Sequence, residues 1–428
     1  MTEKIVIIGA GAAGIGAGLA LQALAVPFVI LEASDRVGGR AYTDKTSFAT
    51  HWDQGCSWLH CADVNPLVSW ADKLGAIYES EDNSEKALFW SENHWLDMPE
   101  RSSVHRHITN RFASIYATAK QGHDVPISAI PDHDGIGAVI AKTMVQLMCS
   151  DEPERASAAG YADYIDTNVN WVVTSGYGDL INRMAVKLPI RRGTEVSAIT
   201  YHRRGVSVQT NSGQIDARAA IVTTSTNVLR SGKIDLPSGP VQKLLNLIEE
   251  VPCGTYEKIA IALDHYPFDP LDNEAVWINP NPGINPVYFQ IARGGQPMLI
   301  AHVAGSQARD LVNAGANAMV DFATQNLTSA FGSSVQKLIC GTAATSWQTN
   351  RFIQGGYSCA RPGAGNNRRN MIDLDTGVIT FAGEAFSLPW YGTAHGAYQS
   401  GKDVASRLAL HLNLKKSNLN RHIDLFKQ

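Results

Sequence analysis

Three glycines near the start of the chain have the spacing of a nucleotide-binding turn. Gly9, Gly11 and Gly14 fit G-x-G-x-x-G, and Glu32 follows further along. In this pattern the first glycine allows a tight turn and the second lets the backbone approach a pyrophosphate. The third lets a helix pack closely on a strand. A carboxylate at Glu32 would then accept hydrogen bonds from a ribose.

The surrounding residues predict the elements that such a turn requires. Lys4 to Ile8 is typical of a short buried strand, Ala12 to Leu24 of a helix of small residues, and "VPFVILE" of a second strand ending at Glu32. The apolar run is also about as long as a membrane-spanning helix, and the preceding lysine is typical of a signal peptide. Pro27 and the strand beyond it suit neither alternative, so the pattern favours a nucleotide.

Composition and charge exclude several classes of partner. The chain has 428 residues and a net charge of −4, without a basic block, so we expect neither nucleic acid nor an anionic membrane as a partner. Its six cysteines are scattered without zinc-site spacing, which predicts no metal site and mostly buried free thiols in a reducing cytoplasm. We therefore predict a cytoplasmic protein. The oligomeric state is open, with a homodimer as one candidate.

Dinucleotide-type elements recur along the chain. Residues 75 to 190 look mainly helical, as in "SVHRHITNRFASIYATAK" and "GIGAVIAKTMVQLM". Alternating residues then predict a β-meander that ends in a buried strand from Ala219 to Thr223. Further strands are predicted at "EKIAIALDHY", "PMLIAHVAG" and "GVITFAGE", and helices at "SQARDLVNAGANAMVDFATQNLTSAF" and "TAHGAYQSGKDVASRLALHL". The order predicts an α/β fold of two interleaved domains.

The stretch after Glu32 helps to decide which dinucleotide the glycine turn binds. Gly38 and Gly39 present bare backbone N–H groups, and Arg40 can pair with a pyrophosphate bidentately, although a solvated turn with charged flanks is the alternative. The string E-A-S-D-R-V-G-G-R resembles the flavin-dependent amine oxidase family. That family includes the monoamine and polyamine oxidases and the histone-lysine demethylases.

The resemblance continues in order down the chain and implies an FAD cofactor. The matching segments are "WDQGCSWLH", "GTEVSAI", "SWQTNRFIQGGYSCARPG" and "FAGEAFSLPWYGTAHGAYQSG". Carried over position by position, the family's cofactor contacts fall on Gly55, Trp58, Val196, Trp347, Gly383, Glu384, Thr393 and Ala394. The fold implied is a Rossmann-type FAD-binding domain (residues 1–74, 190–256 and 345–428) interleaved with a mixed-sheet plus helical substrate domain (residues 75–189 and 257–344).

Lys258 is the candidate catalytic residue. From the pattern alone, a lysine at the start of a strand indicates a solvated strand end. The resemblance instead implies that its ammonium holds a water against flavin N5. Amine oxidation also needs a neutral amine nitrogen, and a dry aromatic pocket favours loss of the amine proton by desolvation.

Three further positions concern the amine itself. Tyr357 matches an aromatic substrate wall, although a core tyrosine after a turn is the alternative. The family's second ring position is occupied by Thr393, so Trp390 or Tyr391 would have to supply that ring. His60 matches a histidine near the amine in polyamine oxidases, but a lone histidine is often structural.

The attachment of the flavin can also be predicted. Monoamine oxidases tether the flavin through a cysteine just before the aromatic wall, and this chain has Gly356 there. Cys359 lies beyond Tyr357, away from the matching position. We therefore expect non-covalent FAD.

The sequence predicts oxidation of a small amine to an imine, which water hydrolyses to an aldehyde or ketone plus an amine. The small Thr393 favours secondary or polyamine-like substrates, and O2, giving H2O2, or a redox protein would reoxidise the flavin. One alternative is a polyene desaturase or protoporphyrinogen oxidase, which would have an apolar channel. Another is an L-amino-acid oxidase, which needs an arginine such as Arg111 for the carboxylate. A flavoprotein without turnover is the third alternative.

Overall fold

A computed structural model describes residues 5–80, 86–270, 274–280 and 285–412. Lys4, at the predicted start of the first strand, lies outside these ranges. The strands are β1 (Ile5–Ile8), β2 (Phe28–Leu31), β3 (Thr43–Asp44), β4 (Trp52–Asp53), β5 (Trp58–His60), β6 (Tyr78–Ser80), β7 (Ala87–Ser91), β8 (His94–Trp95), β9 (Asn170–Val173), β10 (Ile190–Arg191), β11 (Val196–His202), β12 (Gly205–Thr210), β13 (Gly213–Ala217), β14 (Ala219–Val222), β15 (Tyr256–Leu263), β16 (Ala275–Asn279), β17 (Val287–Ile291), β18 (Met298–Ala304), β19 (Ile339–Ala344) and β20 (Ile379–Phe381).

The described residues also include twelve α-helices. They are α1 (Ala12–Ala23), α2 (Pro66–Leu74), α3 (Met98–Lys120), α4 (Ile136–Cys149), α5 (Ala158–Ala162), α6 (Tyr177–Ala185), α7 (Thr226–Arg230), α8 (Pro240–Glu249), α9 (Gly305–Ala314), α10 (Ala316–Phe331), α11 (Asn367–Asp373) and α12 (Ala394–His411).

A parallel five-stranded sheet carries the first glycine turn. Its strand order is β10-β2-β1-β14-β20, and β1 pairs in parallel with both β2 and β14. Helices α1 and α12 share a core with this sheet and pack against each other through small residues: a Cβ on Gly401 of α12 would lie 1.9 Å from the carbonyl oxygen of Ala13 in α1. The predicted strand–turn–helix–strand unit is therefore confirmed, with α1 ending one residue earlier than expected.

The meander prediction is also confirmed. Strands β11, β12 and β13 form a separate antiparallel sheet, and β14 joins the parallel sheet. The helix predicted over residues 306–331 is divided at Gly315, whose φ of 98° is outside the helical range and ends α9 before α10 begins.

A seven-stranded mixed sheet, in the order β19-β15-β18-β17-β16-β7-β8, forms the second layer. Strand β15 is buried on both faces. Ile259 and Ile261 pack beneath α10, while Ala260 and Ala262 pack against Trp52. Because side chains alternate along a strand, Tyr256 and Lys258 share the face of these alanines.

Residues 75 to 190 contain more strand than the sequence suggested. Helices α3 and α4 are present as predicted, but β7 pairs in parallel with β16, and β6 and β9 pair with each other. The run "ALFWS" is too short for its periodicity to decide between strand and helix. Its distant partner strand determines the outcome.

Candidate active site

One cavity of about 1540 Å³ passes between the parallel sheet and the mixed sheet. Gly14 and Trp390 are not among its lining residues. The other residues predicted to contact FAD or the amine of an amine oxidase all line it: Gly9, Gly11, Glu32, Gly38, Gly39, Arg40, Gly55, Trp58, His60, Val196, Lys258, Trp347, Tyr357, Gly383, Glu384, Tyr391, Thr393 and Ala394.

The glycine turn forms one end of the cavity. Gly9 has a φ of 102°, which disfavours any side chain, and a Cβ on Gly14 would lie 1.9 Å from the carbonyl oxygen of Gly9. Glu32 accepts a hydrogen bond from the Ala10 N–H at 2.7 Å and is buried beside the turn. Gly14 therefore acts by letting α1 approach β1, as the motif predicts.

Bare backbone at this end fits a dinucleotide. Helix α1 has no side-chain cap and no acidic residue in its first turn, so its first N–H groups remain for a ligand. A Cβ on Gly11 would meet no atom closer than 4.0 Å, and one on Gly383 would meet only Phe386, at 3.9 Å. Such a cradle at a helix N-terminus suits a pyrophosphate.

Arg40 and Glu384 form an ion pair in the middle of the cavity, with Nη1 and Oε1 3.0 Å apart. The carboxylate also accepts hydrogen bonds from the Ser358 N–H and hydroxyl and from the Gly392 N–H, at 2.6–3.1 Å. Burial alone would raise the pKa of Glu384, but Arg40, Arg368 and these hydrogen bonds hold it below its ordinary value. The carboxylate is thus kept ionised.

Lys258 is buried, with only 2% of its surface exposed, so it is not a solvated strand end. Its ammonium donates to the carbonyl oxygens of Asp53 and Gly55, at 3.1 and 2.7 Å, and to the Ser57 hydroxyl at 2.7 Å. It lies 5.6 Å from the centre of a Trp58 ring. Burial lowers the pKa of Lys258 to about 8, against the opposing charge of Asp53.

Trp347 also lines the cavity, and two of its N–H groups are fixed by hydrogen bonds. Its indole N–H donates to the Gln54 carbonyl oxygen at 3.0 Å. Its backbone N–H donates to the buried carboxylate of Glu257, also at 3.0 Å. One face of β15 therefore presents Lys258 to the cavity, and Glu257 on its other face holds the backbone of Trp347 in place.

The aromatic candidates have different environments. The hydroxyl of Tyr357 donates to the Leu147 carbonyl oxygen, and its ring lines the cavity. Tyr391 also lines the cavity, but its hydroxyl donates to the Tyr161 carbonyl oxygen and the Arg368 guanidinium lies 4.0 Å above its ring. The Trp390 indole N–H has no hydrogen-bond partner among the described residues.

Thr393 combines a cavity position with a structural task. It is the N-cap of α12, accepting a hydrogen bond from the Gly396 N–H at 3.0 Å and donating to the Trp390 carbonyl oxygen at 2.7 Å. Val196 begins β11 and is buried at the nucleotide end, and Ala394 begins α12. The Thr393 side chain therefore cannot rotate freely towards a ligand.

His60 lines the cavity close to Trp58. Its Nδ1 forms a hydrogen bond with the Asn170 side-chain oxygen at 2.8 Å, and the Trp58 and His60 rings stack with centroids 5.9 Å apart. Burial lowers the pKa of His60, and the hydrogen bond to Asn170 opposes this shift with a smaller effect. The ring is therefore neutral near pH 7.

Arg111 does not belong to the cavity. It is buried and donates to the carbonyl oxygens of Ile127, Ile130 and Pro131 at 2.8–3.1 Å, and its Nε lies 3.3 Å from Asp132. These contacts occupy its guanidinium in the helical region. Arg111 is thus a poor candidate for binding a substrate carboxylate, and the suggestion made for it from the sequence was wrong.

Two features of this cavity were not predicted from the sequence. Tyr256 lines it two residues before Lys258, a spacing that places both on one face of a strand. Helix α3 contributes Ile108, Phe112 and Tyr116, which recur at helical spacing and could have been found from that period. Among the described residues, no cluster of histidine, cysteine or carboxylate side chains could hold a metal ion.

Comparison with known proteins identifies the family. The model of the flavin containing amine oxidoreductase family matches residues 12–94 and 77–409, so the chain belongs to this family. Polyamine oxidase 4 of Oryza sativa subsp. japonica is 26% identical over 442 residues, covering 96% of this chain and 90% of that protein. The chain is therefore an oxidoreductase of the flavin-dependent amine class.

Solved structures support the fold. Cyclohexylamine oxidase from Brevibacterium oxydans IH-35A aligns with a TM-score of 0.79 at 18% identity, covering 96% of this chain and all of that one. A putrescine oxidase with redesigned cofactor binding aligns with the same score, identity and coverage. In the part of the chain that is described, no helix is both long and apolar enough to cross a membrane.

Proposed function

We propose that this chain is an FAD-dependent oxidase of small amines, with secondary or polyamine-like amines preferred. The main support for the proposal is that Lys258, Tyr357 and the glycines that would hold the pyrophosphate (Gly9, Gly11 and Gly383) line one cavity. When bound, FAD would accept a hydride, which is two electrons and one proton, from the carbon next to the amine nitrogen. Its dinucleotide part would be held by Gly9, Gly11, Glu32, Gly38, Gly39, Arg40, Val196, Gly383 and Glu384, and its ring end by Gly55, Trp58, Trp347, Lys258, Thr393 and Ala394.

The chain's own residues would prepare the amine. Tyr357 gives the amine an apolar surface, and desolvation there favours the neutral nitrogen that oxidation needs. Lys258 adds a fixed positive charge, which disfavours a second cation nearby and favours negative charge developing during reduction and reoxidation. The imine product would leave for hydrolysis to an aldehyde or ketone plus an amine, with O2 as the electron acceptor and H2O2 as its product.

The polar lining supports an amine oxidase over the two enzyme alternatives. Lys258, His60 and Asn170 line the cavity, whereas a desaturase of apolar substrates would be expected to have an apolar channel. The guanidinium of Arg111 is bound to backbone carbonyls elsewhere, which removes the arginine suggested for an amino-acid carboxylate. We retain the predicted division into two interleaved domains, the cytoplasmic location and the homodimer as parts of this proposal.

The rim of the cavity favours substrates with a second positive charge. Asp166 lines the cavity and is exposed, as is Asn168, so both lie where the cavity meets solvent. Tyr116 and Tyr164 also line it. A carboxylate beside aromatic rings can receive the distal ammonium of a diamine while its other nitrogen lies deeper in the cavity.

The first experiment is anaerobic reduction of the purified yellow protein by putrescine, pentylamine and N-methylbutylamine. Bleaching by at least one of them is expected, and a protein that none of the three reduces would contradict the proposal. A colourless protein that binds NAD instead would also contradict it. Detection of H2O2 on readmission of air would support O2 as the acceptor.

The second experiment tests the rim. Asp166→Asn should raise KM for putrescine about two- to fivefold relative to pentylamine, the range expected of an exposed charge pair. Asp63→Asn is the matched control because Asp63 is exposed and bonded to Thr167 but does not line the cavity. Equal effects of the two variants would indicate a general charge effect and contradict a contact at Asp166.

A further inference from the structure

Tyr256 and Lys258 lie on the same face of β15, and both line the cavity. Between them, Glu257 points to the opposite face, where its carboxylate binds the N–H groups of Trp347 and Gln348 at 3.0 and 2.8 Å. The strand therefore delivers a phenol ring and an ammonium side by side into one space. The phenol of Tyr256 has no role in the proposed function.

The Tyr256 ring packs directly on the proposed substrate wall. The ring centroids of Tyr256 and Tyr357 are 5.5 Å apart with an interplanar angle of 44°. This distance is too short for an amine to lie between the rings, because it is already a ring-to-ring contact distance. The two rings instead form one bent aromatic surface.

A buried hydrogen-bond chain fixes the hydroxyl of Tyr256. Its oxygen lies 2.5 Å from Nδ1 of His302, and Nε2 of His302 lies 3.3 Å from the side-chain oxygen of Gln290. Because that oxygen only accepts, Nε2 carries the imidazole proton and Nδ1 accepts the proton of Tyr256.

His302 has no alternative ionisation state near neutral pH. It is 2% exposed, and it lies opposite Lys258 in the pairing of β15 with β18. Burial, followed by the charge of Lys258, lowers its pKa well below the ordinary value. The Tyr256 hydroxyl thus has a permanent acceptor for its proton and can offer a ligand only the lone pairs of its oxygen.

Building on the proposed function, we infer that Tyr256 is the second ring of the aromatic surface in the amine pocket and that its hydroxyl oxygen accepts a hydrogen bond from the substrate N–H. It takes this part because Thr393 carries no ring and its hydroxyl caps α12. His302 is a positioning residue that acts through the Tyr256 hydroxyl. The pocket takes the amine with a neutral nitrogen, and a neutral tertiary amine has no N–H. The pocket therefore selects primary and secondary amines and discriminates against tertiary amines.

The test separates binding from oxidation. The holoenzyme is first reduced with dithionite, so that it cannot oxidise an amine, and is then titrated calorimetrically with N-methylbutylamine and with N,N-dimethylbutylamine. We expect tighter binding of the first amine by the wild type. Tyr256→Leu should weaken binding of both amines about tenfold. Tyr256→Phe should weaken binding of N-methylbutylamine alone, about three- to tenfold, the range of a single hydrogen bond.

His302 is tested through its dependence on Tyr256. His302→Gln keeps an acceptor for the hydroxyl and should stay within about twofold of wild type, whereas His302→Leu should match Tyr256→Phe. The double variant Tyr256→Phe/His302→Leu should be no weaker than either single variant, since both remove one interaction. Additive effects would assign His302 a separate, structural role and contradict the inference.

Controls distinguish this inference from the proposed function. Tyr266→Phe is the matched control, because Tyr266 donates to the Ala292 carbonyl oxygen and does not line the cavity. Unchanged binding in Tyr256→Leu, with wild-type oxidation of amines intact, would overturn the inference alone. Failure of the wild type to bind either amine would overturn both.

Discussion

A Cβ added to Gly356 would lie 2.8 Å from the Cβ of Tyr256. The Gly356 N–H also donates to the Gly254 carbonyl oxygen at 2.8 Å, so the two segments cannot separate without losing a hydrogen bond. Every residue except glycine has a Cβ, so replacing Tyr256 by another residue with a Cβ would not relieve this contact. Position 356 therefore has no room for a side chain, including the cysteine that would tether a flavin.

The first prediction is that FAD is held without a covalent bond. Acid precipitation should release the flavin into the supernatant, from the wild type and from Cys359→Ser alike. Gly356→Cys should not produce a tether and should lower the free energy of unfolding by about 1–3 kcal/mol, as overpacked sites do. Flavin that stays with the pellet of wild-type protein would contradict this prediction.

The second prediction is that Lys258→Met folds but oxidises amines slowly. Lowering the pKa of Lys258 from 10.5 to about 8 implies that its buried charge costs about 3 kcal/mol. Methionine avoids this cost while losing three hydrogen bonds, so the two changes offset each other. Loss of one preorganised charge typically reduces a rate about 10²- to 10³-fold.

Stopped-flow measurement of flavin reduction and of reoxidation by O2 would show which step needs Lys258. Lys258→Arg is the comparison variant, because it keeps the charge in a larger side chain. Wild-type rates for both steps in Lys258→Met would leave the lysine with only its contacts to Asp53, Gly55 and Ser57.

The third prediction concerns pH. With a pKa of about 8, Lys258 is mostly charged at pH 7 and loses its charge as the pH rises through 8. The rate of reoxidation should therefore fall across this range in the wild type. Lys258→Met should lack this fall because it has no charge to lose, and Lys258→Arg because arginine stays protonated. A fall with the same midpoint in all three proteins would assign the titration to another group.

Local patterns predicted much of the fold and of the cofactor site. The turn from Gly9 to Gly14 and helix α1 follow from neighbouring residues, because a strand, a tight turn and a helix are determined over short distances. The burial of Lys258 does not, since the segment that covers its side of β15 comes from residues 52–57. A pattern in β15 alone could only indicate a strand end.

The missed residues have partners far along the chain. The hydroxyl of Tyr256 is held by His302, and β7 is a strand because β16 pairs with it. Thr393 shows the opposite case, since a threonine just before a helix is a recognisable N-cap. Its capping role could have been predicted from the sequence, while its position in the cavity needed the resemblance to the family.

The fourth prediction tests the buried ion pair of Arg40 and Glu384. Glu384→Gln keeps the shape of the side chain but leaves the Arg40 charge without a counterion. We expect a loss of about 2–3 kcal/mol in the free energy of unfolding, less than for a fully buried pair because Arg40 is partly exposed. The flavin should also dissociate more readily.

Chemical denaturation with and without added FAD would measure both effects. Glu249→Gln is the matched control, since Glu249 pairs with Arg230 on the surface and such pairs contribute about 0–1 kcal/mol. Equal losses in the two variants would indicate that the buried pair has no special weight in the cofactor site.

The last prediction concerns substrate preference and is carried by Thr393. Thr393 and Tyr357 both line the cavity, and a small side chain at position 393 is expected to leave space for a substituent on the amine nitrogen. The wild type should therefore be reduced faster by N-methylbutylamine than by butylamine. Thr393→Tyr fills that space with a ring and should shift the ratio of the two rates towards butylamine.

The helix cap provides the control for this comparison. Thr393→Tyr removes the hydrogen bond to the Gly396 N–H, which should cost about 1 kcal/mol of stability whatever happens in the pocket. Thr393→Ser keeps the cap and the space and should leave the rate ratio unchanged, whereas Thr393→Ala loses the cap alone. If Thr393→Ala shifts the ratio as far as Thr393→Tyr, the start of α12 controls selectivity and the space at position 393 does not. If the wild type is reduced faster by butylamine, the preference for secondary amines is wrong.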